Sequence, residues 1–203
     1  MSTPIAEREL LNSQLRHCWT VTEYHRMGEV GLLNEDSRVE LIDGEIVQKE
    51  LPISSQHAGA VRHLIVLMHR DLPAKGKYIV SVHNPVVLNE YNEPEPDLAL
   101  LRWRDNFYVD AHPGPQDVLL IIEISDSTLR YDRDVKIPLY AKNGIPEVWL
   151  LDIQNRQLEI YREPINGIYR QRDCRHAGQI APVLCPDAVI DLAELFPNPG
   201  ATV

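Results

Sequence analysis

The chain has 203 residues, 44% of them hydrophobic, which suits one globular domain with a sizeable core. No apolar run approaches the ~20 residues of a membrane helix, and the formal charge of −10 argues against a general nucleic-acid coat. Cys18, Cys174 and Cys185 are odd in number and in no metal spacing, so reduced thiols in the cytoplasm are expected.

Residues 1–19 mix Glu7, Arg8 and Glu9 with Leu10 and Leu11. They lack the basic-then-apolar order of a signal peptide and are expected to form a loosely held arm. Thr20 then reads as an N-cap, with Glu23 three residues on completing a capping box. Arg38 to Ile42 and Glu45 to Lys49 flank Asp43-Gly44, a two-residue hairpin signal. Ser54 or Ser55 opens a helix to about Asp71, with His57, Val61, Leu64, Ile65, Met68 and Leu72 at helical spacing. Lys77 to Val82 and Val86 to Leu88 read as strands, followed by Asp97 to Leu101.

Arg102 to Gln116 is rich in Pro, Gly and charge and is the best candidate for a mobile flap. The run Val118 to Ile124 is continuously apolar except for Glu123 and reads as a strand buried on both faces. A helix is expected to end near Asn143-Gly144 and to become regular only shortly before Pro138. Glu147 to Asp152, Gln157 to Arg162 and Ile168 to Arg172 form a meander whose last turn is Asn166-Gly167. The expected fold is a single α/β domain over residues 20–196, a central mixed β-sheet flanked by helices with additional β-hairpins. Residues 197–203 are read as a tail.

Two carboxylates stand out against this background. Asp97 follows Pro96 at the opening of the run Leu98-Ala99-Leu100-Leu101, and Glu123 lies between two isoleucines. Buried carboxylates call for a partner. Two on neighbouring strands with a lysine nearby suggest a magnesium site for phosphodiester hydrolysis, because that ion takes hard oxygen ligands and leaves room for phosphate and water. The backbone carbonyl of Ile124 is a further ligand candidate, and Lys136 would supply a compact positive charge.

Glu40, paired across the hairpin with Val47, is weighed equally as an outer site residue and as a plain ion pair. His57, pointing inward at a helix N-terminus, is an accessory candidate against a packing role. Ser125 falls on the Glu123 face roughly 7 Å along the strand and can orient water or mark a lost lysine. Tyr140 reads as packing, and Lys142 as solvated. Arg162, Arg170, Arg172 and Arg175 make the later strands more favourable to phosphate than the rest of the chain.

Several segments in order resemble one known family. They are Arg38-Val-Glu-Leu-Ile-Asp-Gly-Glu, Pro52 with His57, Pro96-Asp97, Ile122-Glu-Ile-Ser-Asp-Ser-Thr128, Asp132 to Lys136, and Gly144-Ile-Pro-Glu-Val-Trp149. In order and spacing the chain resembles the Uma-type restriction endonucleases, a branch of the PD-(D/E)XK nuclease superfamily, from about Thr20 to Phe196. The resemblance implies a restriction-endonuclease-like fold, Mg²⁺ (or Mn²⁺) at Asp97 and Glu123, DNA as partner, and a homodimer for cutting both strands. The superfamily places lysine two residues after the glutamate. Here Ser125 holds that position, and the branch implies a lysine displaced to Lys136.

Two other readings are weighed. One is a non-catalytic nuclease-fold module for binding or assembly, favoured by Ser125 and the net charge. The other is a metal-free two-carboxylate hydrolase such as a glycosidase, against which stand the few aromatic residues available for sugar stacking.

Overall fold

The computed structural model describes residues 16–49, 54–71 and 77–196. The chain divides into two compact units, Met1–Lys49 with Asn89–Glu93, and Glu50–Leu88 with Pro94–Val203.

In the first unit, helix α1 (Val21–Glu29) begins at the expected capping box of Thr20 and Glu23. The hairpin of β1 (Val39–Ile42) and β2 (Glu45–Gln48) turns through Asp43 (φ 49°) and Gly44 (φ 75°). Positive φ at both positions is what a two-residue type I′ turn requires. Leu41 and Glu93 exchange backbone hydrogen bonds of 2.8 and 3.3 Å, tying Asn89–Glu93 to the hairpin.

The second unit is built on a six-stranded sheet ordered β3-β4-β5-β6-β7-β8. The strands are Tyr78–Val82, Leu98–Arg102, Val118–Ser125, Glu147–Asp152, Gln157–Ile165 and Ile168–Arg175. All neighbours pair antiparallel except β5 and β6. That parallel pair needs a crossover, and residues 129–142 supply it. All of β5 and β6 is buried, which accounts for their largely apolar sequence.

Helix α2 (Ser55–Asp71) covers one face of the sheet, its Val61, Leu64 and Met68 packing with Leu98, Ile122 and Trp149. A short pair, β9 (Gln179–Ile180) and β10 (Ile190–Asp191), extends this core together with a one-turn helix at Leu192–Leu195. The opposite face carries Ile121, Glu123, Leu150 and Glu159 by strand alternation. The crossover serves this second face. It comprises a turn at Leu129–Tyr131, a π turn at Asp132–Lys136, and helix α3 (Ile137–Lys142). The widening has a local cause. Pro138 offers no N–H to continue an α-type ladder, and the Ile137 N–H reaches back five residues to the Asp132 carbonyl. Gly144 follows α3 at φ 73°, in keeping with its predicted place after a helix end.

Val86 to Leu88 does not form the predicted strand. The Val86 N–H bonds to Pro94 and the Val87 N–H to Pro113, so consecutive residues pair with different segments and no ladder develops. β7 and β8 run further than predicted, with Glu163 at φ 56° inside the hairpin. The segment expected as a flap has local ties. Trp103 packs edge-on against Phe107, and Arg104 lies over the Tyr108 ring and pairs with Asp117 at 3.1 Å. Most of the expected N-terminal arm, Pro52, Leu72 and the tail 197–203 lie outside the described residues. Among the described residues, no helix is long and apolar enough to cross a membrane.

Candidate active site

The register of β4 and β5 builds the centre of the site. Leu98 pairs with Ile122, so Asp97, one residue before β4, comes opposite Glu123. The Asp97 N–H points at Glu123 Oε2 at 3.4 Å, and the Ile124 N–H donates to Asp97 Oδ2 at 2.8 Å. Both carboxylates therefore lie at the mouths of adjacent strands of one sheet. Ile124 meets the site through its N–H.

Two histidines hold Asp97. His57 sits in the first turn of α2, where its N–H donates to the capping Ser54 Oγ at 3.0 Å, and its Nε2 lies 3.2 Å from Asp97 Oδ2. His83 follows β3 in a left-handed conformation and brings its Nε2 to 3.3 Å from Asp97 Oδ1. The other side of the site comes from the crossover. Lys136 Nζ lies 3.2 Å from Glu123 Oε1, and the Tyr140 hydroxyl donates to the same oxygen at 2.5 Å. One helical turn separates these two residues, so both face the sheet. Ser125 Oγ and Thr128 Oγ1 donate to Asp132 Oδ2 at 2.5 and 2.7 Å.

Electrostatics divides the carboxyl groups. Burial alone would raise the Asp97 pKa, but the hydrogen bonds from His57, His83 and the Ile124 N–H outweigh it and hold the group well below the usual range. For Glu123, burial prevails. The Lys136 charge offsets only part of it, Asp97 and Asp132 add repulsion, and the group is pushed up to about 7. Asp132 is raised as well, by burial first. The bond to Asp97 raises the His57 pKa against the effect of burial.

A pH dependence is expected of the metal-free protein. Between its ordinary value of 4.5 and about 7, Glu123 keeps in the fold a proton that it loses when unfolded. The native state then binds more protons, so this group's contribution to stability falls as pH rises through that window. Melting temperatures recorded against pH in EDTA are expected to lose this slope in Glu123→Gln. An unchanged profile would assign the slope to other groups.

The residues singled out from sequence fare differently. Asp97, Glu123, Lys136, His57 and Ser125 belong to one neighbourhood of the second unit. Glu40 lies on β1 of the first unit, buried and opposite Val47 as its hairpin position predicts. Lys136 is buried, whereas Lys142 is not. Tyr140, read from sequence as packing, also bonds to Glu123. His83 and Asp132 carry no site assignment in the sequence reading. No local sequence pattern marks His83; it reaches Asp97 because the strand it follows pairs with the strand that Asp97 opens.

Magnesium favours oxygen donors, and the donor set here fits it. Asp97 and Glu123 present two carboxylates side by side. Besides burial, Glu123 feels repulsion from Asp97 and Asp132, opposed by the attraction of Lys136. A cation would relieve that repulsion.

A mixed sheet with paired carboxylates at its strand mouths and a crossover lysine against one of them is a restriction-endonuclease-like fold. The chain belongs to the Uma2 family, described as putative restriction endonuclease, whose family model matches residues 21–193. Its fold is similar to the crystal structure of a putative nuclease belonging to DUF820 from Anabaena variabilis ATCC 29413. The two share 16% identity with a TM-score of 0.66, over 87% of this chain and 97% of that one. Comparison with curated proteins gives no match.

Proposed function

We propose that the protein is a metal-dependent DNA endonuclease that hydrolyses phosphodiester bonds at the Asp97–Glu123 pair. The observation that carries this reading is Lys136 Nζ, 3.2 Å from Glu123 Oε1 in a buried site whose two carboxylates come from adjacent strands. Asp97, Glu123 and the Ile124 carbonyl would hold Mg²⁺, with Mn²⁺ as a substitute. When bound, such an ion acidifies water and stabilises charge on a phosphoryl oxygen.

The chain's own residues prepare that site. The Lys136 ammonium favours the ionised form of Glu123 and puts a positive charge beside the place where negative charge develops during attack on phosphate. The Tyr140 hydroxyl fixes the Glu123 carboxylate by donating to Oε1. His57 and His83 orient Asp97 from two sides. Ser125 fills the usual lysine position and instead anchors Asp132, four residues before Lys136 on the π turn.

Supercoiled plasmid incubated with Mg²⁺, Mn²⁺ or EDTA tests the proposal. Nicking with either metal and none in EDTA is the expected result, and a homodimer would further convert nicks to double-strand cuts. The charge of −10 favours a second reading, a non-catalytic nuclease-fold module for binding or assembly. Absence of metal-dependent nicking by folded protein on both DNA and RNA would make that reading the better one.

A further inference from the structure

Two strands away from Glu123 lies a second buried carboxylate. Glu123 pairs with Leu150, and Leu150 with Glu159, so the three form one row across β5, β6 and β7 on the same face. At ~4.8 Å per strand, Glu159 stands roughly 10 Å from the Glu123 position. Its side chain is fully buried, yet it is bound by two arginines that are not: Arg133 is 35% exposed and Arg172 54%.

Arg133 reaches Glu159 with two nitrogens, Nη2 to Oε1 and Nε to Oε2, the latter at 3.4 Å. Arg172 Nη2 lies 3.0 Å from Oε2, and the Tyr161 hydroxyl also donates to that oxygen. Burial by itself would raise the Glu159 pKa, but the Arg133 and Tyr161 hydrogen bonds and the Arg172 charge lower it, so the carboxyl is ionised. One guanidinium and one hydroxyl already give both oxygens a donor. The second arginine makes the group net positive, and both guanidinium side chains are partly exposed. Arg172 is steadied further, its guanidinium 5.6 Å from the centre of the Tyr161 ring. A guanidinium has five N–H donors, and these bonds engage two from Arg133 and one from Arg172.

The geometry points to Arg133 and Arg172 as a fixed clamp for a DNA backbone phosphate next to the one being cut. The assignment rests on the nuclease reading for its substrate. Planar guanidiniums held by a buried carboxylate are pre-organised for phosphate oxygens. Arg133 lies three residues before Lys136 on the crossover, so clamp and proposed active centre share one element. In a chain with an excess of acid, such a local pair is where phosphate can be held. A purely structural role for the arginines would leave DNA binding unaffected by their loss.

The test is fluorescence anisotropy of a labelled DNA duplex with the full chain in EDTA, over a series of salt concentrations. Removing one phosphate contact lowers the slope of log affinity against log salt by ~0.9. Arg172→Gln is expected to show that drop, and Arg70→Gln, on α2 at the other face of the sheet, none. Arg172→Gln leaves Glu159 its bonds to Arg133 and Tyr161, and matched melting curves verify its fold. Arg133→Lys keeps the charge and is expected to keep the slope. An unchanged slope in Arg172→Gln overturns the clamp, and so does failure of the wild-type chain to bind duplex at low salt. The readout needs no cleavage. A lowered slope in a protein that never nicks keeps the clamp and discards the nuclease reading, while nicking with an unchanged slope does the reverse.

Discussion

Asp97→Ala and Glu123→Ala are each expected to reduce Mg²⁺-dependent nicking by on the order of 10³-fold or more, because each removes a carboxylate proposed to hold the metal. Their effects on stability should differ. Asp97 is bonded by His57, His83 and the Ile124 N–H. Its removal leaves the Ile124 N–H to find another acceptor. Mutual repulsion of the carboxylates, taken alone, would make either removal stabilising. The bonds to Lys136 and Tyr140 reverse that expectation for Glu123→Ala, since a buried ammonium and a buried hydroxyl each lose their hydrogen bond to that carboxylate. Glu123→Gln keeps the shape and separates the two effects. It should nick as poorly as the alanine variant while melting closer to wild type. Wild-type nicking by folded Asp97→Ala or Glu123→Gln would remove that residue from the metal site.

Lys136→Ala is expected to lose at least ~10²-fold in turnover, the scale of removing one electrostatic stabiliser. Lys142→Ala, at the far end of α3, should change little. The contrast is informative because the two lysines lie on one continuous crossover yet differ in burial. Lys136→Ala also deprives Glu123 of its cation, so circular dichroism must accompany the rate measurement. Lys136→Arg is the companion variant: it keeps the charge but replaces a compact ammonium with a broad fork. Equal and small effects from Lys136→Ala and Lys142→Ala would leave the site without its lysine.

The legible part of this site is the part written along single strands. Asp97 and Glu123 are visible because each interrupts or borders an apolar run, and a charge in such a place needs a reason. The Asp43-Gly44 turn and the Thr20 capping box are visible because their chemistry is contained in two to four consecutive residues. His83 is not legible as a site residue. It reaches Asp97 only because Val82 pairs with Leu98, and the irregular residues 84–96 separate the two in the chain. The same stretch hides the true state of Val86 to Leu88, whose apolar sequence is met by hydrogen bonds to two separate segments rather than by a neighbouring strand. The spacing of Tyr140 one turn after Lys136 can be read from the chain, but the partner of its hydroxyl depends on how the crossover lies against β5.

The π turn gives the candidate site two rulers. Carboxylate positions are set by the pleat of β4 and β5, where moving one residue along the chain swings a side chain to the opposite face. The lysine is set by the phase of a helix, where one extra residue in a turn rotates the rest of the helix by about 100°. The positive charge beside Glu123 is therefore placed by the phase of the crossover, independently of the pleat that places the two carboxylates.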